Sequence, residues 1–128
     1  MKLLLDSHVF LWLLNDPERL GTRTRQLLEL DSSDTCVSVV SIWELGLKYK
    51  KVKQPYSISE MLRGVTALQV SLIDLRQEHL ARFEKIDLAH KDPFDMLLVA
   101  QCEAENGMFL TADSTILRSK YNVCDAGC

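Results

Sequence analysis

Four acidic residues carry the chemistry that this sequence suggests: Asp6, Glu44, Asp95 and Asp113. Asp6 directly follows the apolar run Lys2-Leu3-Leu4-Leu5. Glu44 falls in the first turn of the helix expected after the second strand, and Asp95 in the first turn of a nearly all-apolar helix. Asp113 stands just past the fourth strand. In an open α/β sheet, ligands bind outside the carboxyl ends of the strands. Asp6 and Asp113 reach that edge directly and Glu44 through its helix. Asp95 joins them if its helix starts on the same side. Carboxylates sharing a pocket repel one another and are costly to bury unpaired. A divalent cation resolves the conflict, because Mg²⁺ or Mn²⁺ takes oxygen ligands from one or two carboxylates, water and substrate phosphate. The chemistry that follows is metal-assisted hydrolysis of a phosphodiester.

Each acid but one also has a local use. Ser41-Ile42-Trp43-Glu44 fits a capping box, so Glu44 could serve its own helix. In Asp92-Pro93-Phe94-Asp95, Asp92 is placed to cap the helix, with Pro93 in the first turn and Asp95 complementing the dipole. Asp113 could cap a last short helix. Asp6, which closes a buried strand, has the least need of a local role. Local uses suffice one at a time and weaken when four acids aim at one edge.

The elements that must position these acids alternate along the chain. Lys2 to Leu5 reads as a buried strand, Val9 to Leu14 as one or two helical turns, and Pro17 to about Leu30 as a helix with Leu20, Thr24, Leu27 and Leu28 inward. Cys36 to Val40 is rich in β-branched residues and reads as a strand. A helix opening at Ser41 and ending before Gln54-Pro55 follows, with Ile42, Leu45, Gly46 and Tyr49 on one face. Ser57-Ile58-Ser59-Glu60 is a capping box, and Ile58, Met61, Leu62 and Val65 form the expected buried face. Val70 to Ile73 is a third strand, after which Asp74 is placed to cap a helix carrying Leu80 and Phe83. The helix from Pro93 is apolar nearly all round, ends at Asn106-Gly107 with Gly107 as its cap, and leads to a strand at Met108 to Leu110. Asp113 to Ser119 reads as a last helix and Tyr121 to Val123 as an edge strand. Short apolar strands alternating with helices predict an α/β fold with a parallel sheet flanked by helices.

The chain has 128 residues, 47% of them hydrophobic and 26% charged, ordinary values for a globular domain. One domain over residues 1–128 is expected. Fifteen Lys and Arg against eighteen Asp and Glu leave a net charge of -3, the wrong sign for a protein that coats nucleic acid non-specifically. Cys36, Cys102, Cys124 and Cys128 match no zinc spacing, and a reducing cytoplasm is expected. Asp6, Ser7 and His8 interrupt the opening apolar run, and no stretch approaches the 18 or so apolar residues of a membrane span.

The blocks Leu3-Leu4-Leu5-Asp6-Ser7-His8-Val9-Phe10-Leu11-Trp12, Ser38-Val39-Val40-Ser41-Ile42-Trp43-Glu44-Leu45, His90-Lys91-Asp92-Pro93-Phe94-Asp95, Leu97-Leu98-Val99-Ala100-Gln101 and Leu110-Thr111-Ala112-Asp113 fall in order along nearly the whole chain. As a set they resemble the PIN-domain ribonucleases, in the VapC-like branch of toxins from type II toxin–antitoxin pairs. The resemblance implies a PIN fold and a Mg²⁺ or Mn²⁺ centre for endonucleolytic cleavage of RNA. It places Asp6 and Asp95 closest to the metal, Asp113 on the metal directly or through water, and Glu44 as the residue orienting a water or the metal shell. Ser7 and Thr111 would support the cluster through their hydroxyls, and Asp92 is an extra acid of this branch. Homodimers are implied, as is inhibition by an antitoxin whose tail occupies the acidic groove. One position departs from the pattern: Met96 stands where the branch usually has Arg.

Lys48, Lys50, Lys51 and Lys53 form a basic run that could meet RNA phosphates, although cations also suit a solvated helix C-terminus. Trp12 and Trp43 could stack on bases, although apolar helices more often commit such rings to a core or dimer interface. His8 and His90 lie near the acidic loops and could titrate or ligate, although a hydrogen-bonding role is the simpler one and the expected metal pocket is oxygen-rich. An aspartyl phosphatase would want an acid two residues past Asp6, where His8 stands. A receiver-like module would want paired acids in the first loop and a late strand-end Lys, and neither is found. A catalytically silent PIN module that binds metal and partner is the alternative that Met96 keeps in view.

Overall fold

The structure, a computed structural model, describes residues 1–51 and 54–128. Lys53 of the basic run lies outside them. Five strands form one parallel sheet: β1 (Lys2–Leu5), β2 (Asp34–Ser38), β3 (Ser71–Ile73), β4 (Met108–Thr111) and β5 (Val123–Asp125), in the order β3-β2-β1-β4-β5. Every pairing is parallel, with Leu3 opposite Thr35 on one side and Met108 on the other. The chain builds outward from β1 to β3, then crosses back to place β4 on the other flank of β1. The switch point of the sheet therefore falls between β1 and β4, where a crevice is expected at the strand ends.

Seven helices complete the described residues: α1 (Ser7–Asn15), α2 (Thr22–Glu29), α3 (Val39–Lys51), α4 (Ile58–Leu68), α5 (Gln77–Phe83), α6 (Pro93–Ala104) and α7 (Ser114–Leu117). Side chains alternate across the sheet. Leu3 and Leu5 enter one apolar layer with Val9, Phe10, Leu45 and Met61. Leu4 enters the other with Leu98, Val99 and Phe109. Both faces are thus covered, as an all-parallel sheet requires. Among the described residues, no helix is long and apolar enough to cross a membrane.

Several boundaries differ from the sequence expectation, each for a local reason. β2 ends at Ser38, and Val39-Val40 already belong to α3. The Ser38 hydroxyl accepts from the Val40 N–H at 3.0 Å and turns the chain into the helix despite two β-branched residues. The helix predicted from Pro17 is a 3₁₀ turn over Pro17–Arg19 followed by α2, because Gly21 between them is extended. Asp74 caps nothing. α5 starts at Gln77, and His79 Nδ1 accepts from the Arg76 N–H at 3.0 Å in the manner of a capping box. The residue with left-handed backbone after α6 is Asn106, at φ 55°, and Gly107 is needed for closeness: a Cβ there would lie 3.1 Å from the Lys2 carbonyl oxygen. β5 falls two residues later than expected. The capping box of Ser57 and Glu60 is present in both directions. On α4, Met61 and Val65 are buried, whereas Ile58 and Leu62 are 44% and 40% exposed. Ile58 instead lies across Gly46 of α3, where a Cβ would come within 2.5 Å of it.

Candidate metal centre

The carboxyl end of the sheet opens into a cleft of about 480 Å³ lined by Asp6, Glu44, Asp92, Asp95 and Asp113. Asp6 follows β1, and its backbone N–H donates to the Leu110 carbonyl of β4 at 2.9 Å, which sets it at the switch point. Its side chain is buried and held on both oxygens. Oδ1 accepts from the Ser7 N–H at 2.7 Å, and Oδ2 accepts from the Thr111 hydroxyl at 2.6 Å. Burial raises the Asp6 pKa and nearby Glu44 adds to it, against the hydrogen bonds from Thr111 and Ser7.

Glu44 lies in the second turn of α3 because the helix opens two residues earlier than the sequence suggests. The expected capping box is absent: the buried Ser41 hydroxyl has no hydrogen-bond partner, and Glu44 Oε1 accepts from the Ser7 hydroxyl at 2.7 Å. Glu44 Oε2 faces Lys48 Nζ at 3.5 Å. Asp92 does cap α6, its Oδ1 accepting from the Asp95 N–H at 3.1 Å, and Asp113 caps α7 through the Ile116 N–H at 3.0 Å. Both capping acids also line the cleft. Asp95 stands in the first turn of α6, on the same side as the strand ends. Its carboxyl is pushed up to about 8, first by burial and then by the negative charges of Asp6, Asp92, Glu44 and Asp113.

The donor atoms of His90, Asp95 and Asp113 lie within 4.8 Å of one another, and so do those of Glu44, Asp92 and Asp95. Asp6 belongs to neither group, although it lines the same cleft. His90 Nε2 is 3.4 Å from Asp95 Oδ2 and 3.7 Å from Asp113 Oδ1, yet this buried nitrogen makes no hydrogen bond. The unpartnered His90 nitrogen, the converging carboxylates and the raised proton affinity of Asp95 form a set that a hard divalent cation would satisfy.

Met96 packs against the apolar layer under α6 and is not among the residues lining the cleft. Of the three described lysines of the basic run, Lys48 lines the cleft, whereas Lys50 and Lys51 are exposed on α3 outside it. Trp43 is 55% exposed and meets Phe94 edge to face, with ring centroids 5.1 Å apart. Trp12 is half-buried and lines the cleft beside His8 and Arg19. Arg19 has no motif in the sequence to mark it. The place of His90 depends on Asp113, 23 positions away, and no local pattern carries that.

An all-parallel α/β sheet with acids gathered at its switch point places a carboxylate-lined cleft where open α/β folds bind their ligands. The PIN domain family model matches residues 3–120, and the chain belongs to that family. A comparison with curated proteins found no match. Among solved structures, the chain is similar to a chain of VapBC2 from Rickettsia felis bound to a DNA fragment from its promoter. That pair has 13% identity and a TM-score of 0.71, covering 97% of this chain and 98% of the other. It is also similar to a chain of DNA-bound VapBC from Salmonella typhimurium, at 18% identity and a TM-score of 0.70, over 100% and 99% of the two chains. A third likeness is to VapBC-1 from nontypeable Haemophilus influenzae, at 14% identity and a TM-score of 0.69, over 98% of each. At these identities the likeness carries the fold.

Proposed function

We propose that residues 1–128 act as one PIN domain, a metal-dependent endoribonuclease that hydrolyses RNA phosphodiester bonds and serves as the toxin of a toxin–antitoxin pair. The observation that carries the reading is the convergence of Asp6, Glu44, Asp92, Asp95 and Asp113 on one cleft at the switch point of a PIN fold. Asp6, Asp95 and Asp113 would hold Mg²⁺, with Mn²⁺ as a substitute, and Asp92 would support them. Bound there, the cation would polarise the phosphoryl group and lower the pKa of a water. Glu44 would hold that water's hydrogen. Its own direction is fixed by the Ser7 hydroxyl on one oxygen and Lys48 on the other. Thr111 keeps Asp6 aimed, donating to Oδ2 while its own oxygen accepts from the Asp113 N–H at 3.0 Å. Lys48 would meet substrate phosphate at the cleft, with Lys50 and Lys51 extending the positive surface along α3.

A cognate antitoxin is the partner this reading requires, and the structural neighbours from VapBC and FitAB complexes support it. A homodimer and a cytoplasmic location complete the proposal. The dimer is supported by an apolar groove lined by Trp43, Leu80, Phe83, Pro93, Phe94 and Leu97. The silent-module alternative rested on Met96, and its packing away from the cleft weakens that ground.

The test is RNA cleavage by antitoxin-free protein with Mg²⁺, Mn²⁺ or EDTA. Cleavage is expected with either metal, to stop in EDTA, and to fall about a hundred-fold or more in Asp6→Asn and in Asp95→Asn. A folded protein that cleaves nothing with either metal, or an Asp6→Asn variant at full activity, refutes the reading.

A further inference from the structure

The acidic cleft does not end at its acids. His8, Trp12 and Arg19 line its far side, and the same three residues line a second depression of about 210 Å³ with Asn15, Pro55 and Tyr56. The two cavities adjoin at these shared residues, with the carboxylates on one side and Tyr56 on the other. The Arg19 guanidinium carbon lies 5.0 Å from the centroid of the Trp12 ring. Arg19 Nε is 3.8 Å from Asp16 Oδ2, and the Tyr56 hydroxyl donates to Asn15 Oδ1 at 3.0 Å. Trp12 packs against the core on its inner side, so the stack is seated on a fixed surface.

A chain of net charge -3 with five carboxylates in its cleft repels a polyanion everywhere except beside a bound cation and beside its own basic groups. Arg19 and Lys48 are the Arg and Lys side chains that line the cleft, and Lys48 already faces Glu44. Arg19 sits a short step from the acids, planar, charged and 59% exposed, on an aromatic ring. Guanidinium planes and aromatic rings are the surfaces on which unstacked nucleobases settle, with little regard to sequence. Phosphates adjoining the base fall within reach of the same guanidinium.

We infer that Trp12, Arg19 and Tyr56 form a nucleotide subsite next to the cleavage centre, where a base of single-stranded RNA extends the Arg19–Trp12 stack and Arg19 meets the adjoining phosphate. This rests on the ribonuclease reading for the identity of the ligand. The subsite demands an unpaired base, because a base held in a duplex offers no free face.

Two measurements test it. In the first, KM for a single-stranded RNA oligonucleotide is compared with that for the same strand in a duplex. Wild-type protein favours the single strand, and Arg19→Ala and Trp12→Ala each raise its KM about ten-fold and erase the preference. Trp12→Phe keeps a ring and recovers most of the loss, which guards against a folding defect in Trp12→Ala. The second measurement does not depend on cleavage. In Asp6→Asn/Trp43→Phe protein with Mg²⁺, Trp12 is the sole indole, and single-stranded RNA quenches its fluorescence. Adding Arg19→Ala weakens that binding about ten-fold. Quenching without cleavage by the wild type would refute the ribonuclease reading and keep the subsite. Cleavage with no quenching, or with KM unchanged in a folded Arg19→Ala protein, overturns the subsite and leaves this face to a protein partner.

Discussion

Asp95 shows how one side chain ties the protonation of the cleft to cation binding. Its carboxyl rises to about 8, with burial as the largest cause and the charges of Asp6, Asp92, Glu44 and Asp113 behind it. A carboxyl whose pKa is higher in the folded than in the unfolded chain keeps a proton that the unfolded chain releases. Through this group, metal-free protein therefore loses stability as pH climbs from about 4 to about 8. A cation bound beside Asp95 must displace that proton, so affinity rises across the same window and levels off above it. Thermal shifts with and without Mg²⁺ should show a metal-induced gain in Tm that grows from pH 6 to pH 8.5. Asp95→Asn should flatten the dependence, and a gain independent of pH would contradict the role given to this carboxyl. Asp6, Asp95 and Asp113 were legible in the sequence because position alone marks them, at strand ends and in a first helical turn, whereas Glu44 was named for a first turn and lies in the second. His90 was legible as a neighbour of the acidic loops, but its approach to Asp113 was not, since that depends on the crossing from β3 back to β4. Arg19 was not legible at all, since the turn at Gly21 that sets it beside the cleft carries no motif.

At the scale of elements, the sequence told strand from helix well and told their borders poorly where a side chain overrode propensity. Val39 and Val40 read as strand until the Ser38 hydroxyl took the Val40 N–H and began α3. Asp74 looked like a cap until His79 filled that role for α5. His79 does more than close its helix. Its Nδ1 accepts from Arg76 N–H and from Gln101 Nε2 at 3.2 Å, so Nε2 carries the proton that it shares with Glu105 Oε2 at 2.9 Å. Lys2 at the start of β1 donates to the other Glu105 oxygen at 2.8 Å. Glu105 thus fastens α5 and the end of α6 to β1, and these partners hold its carboxyl down at about 2, with the Lys2 hydrogen bond the largest cause. A carboxyl lowered on folding stabilises the fold above its unfolded pKa of about 4.5 and loses that contribution as pH falls toward 2. Glu105→Gln should cost about 1 kcal/mol at pH 7, a fall of about 3–6 °C in Tm, and the difference from wild type should vanish near pH 2. A constant difference from pH 7 to pH 2 would mean that packing of the side chain matters and its charge does not.

For the whole molecule, the parallel sheet divides the surface into ends with different tasks. The carboxyl end collects charge, because strand ends and helix starts meet there. The flank formed by α3, α5 and α6 collects apolar side chains. Trp43 and Leu80 are 55% and 52% exposed there, beside a groove of about 190 Å³ that is almost entirely apolar. One core of two layers already takes the inward faces of these helices, so the residues left outside are surplus to folding the monomer. This groove is the exposed apolar surface on which the proposed dimer can be tested. A second copy is the occupant the proposed dimer calls for, and the surface can be tested without disturbing the core. Leu80 contributes little to the fold because it is half exposed, whereas Trp43 also holds Phe94 and would confuse the result. Wild-type protein at micromolar concentration should sediment as a dimer. Leu80→Glu should place a charge in the groove that the dimer would desolvate and weaken association about ten-fold or more while Tm, measured under conditions where both proteins are monomeric, stays within about 3 °C. A Leu80→Glu protein that still sediments as a dimer would move the interface off this flank, and a wild-type monomer at every concentration would leave the apolar groove to the antitoxin.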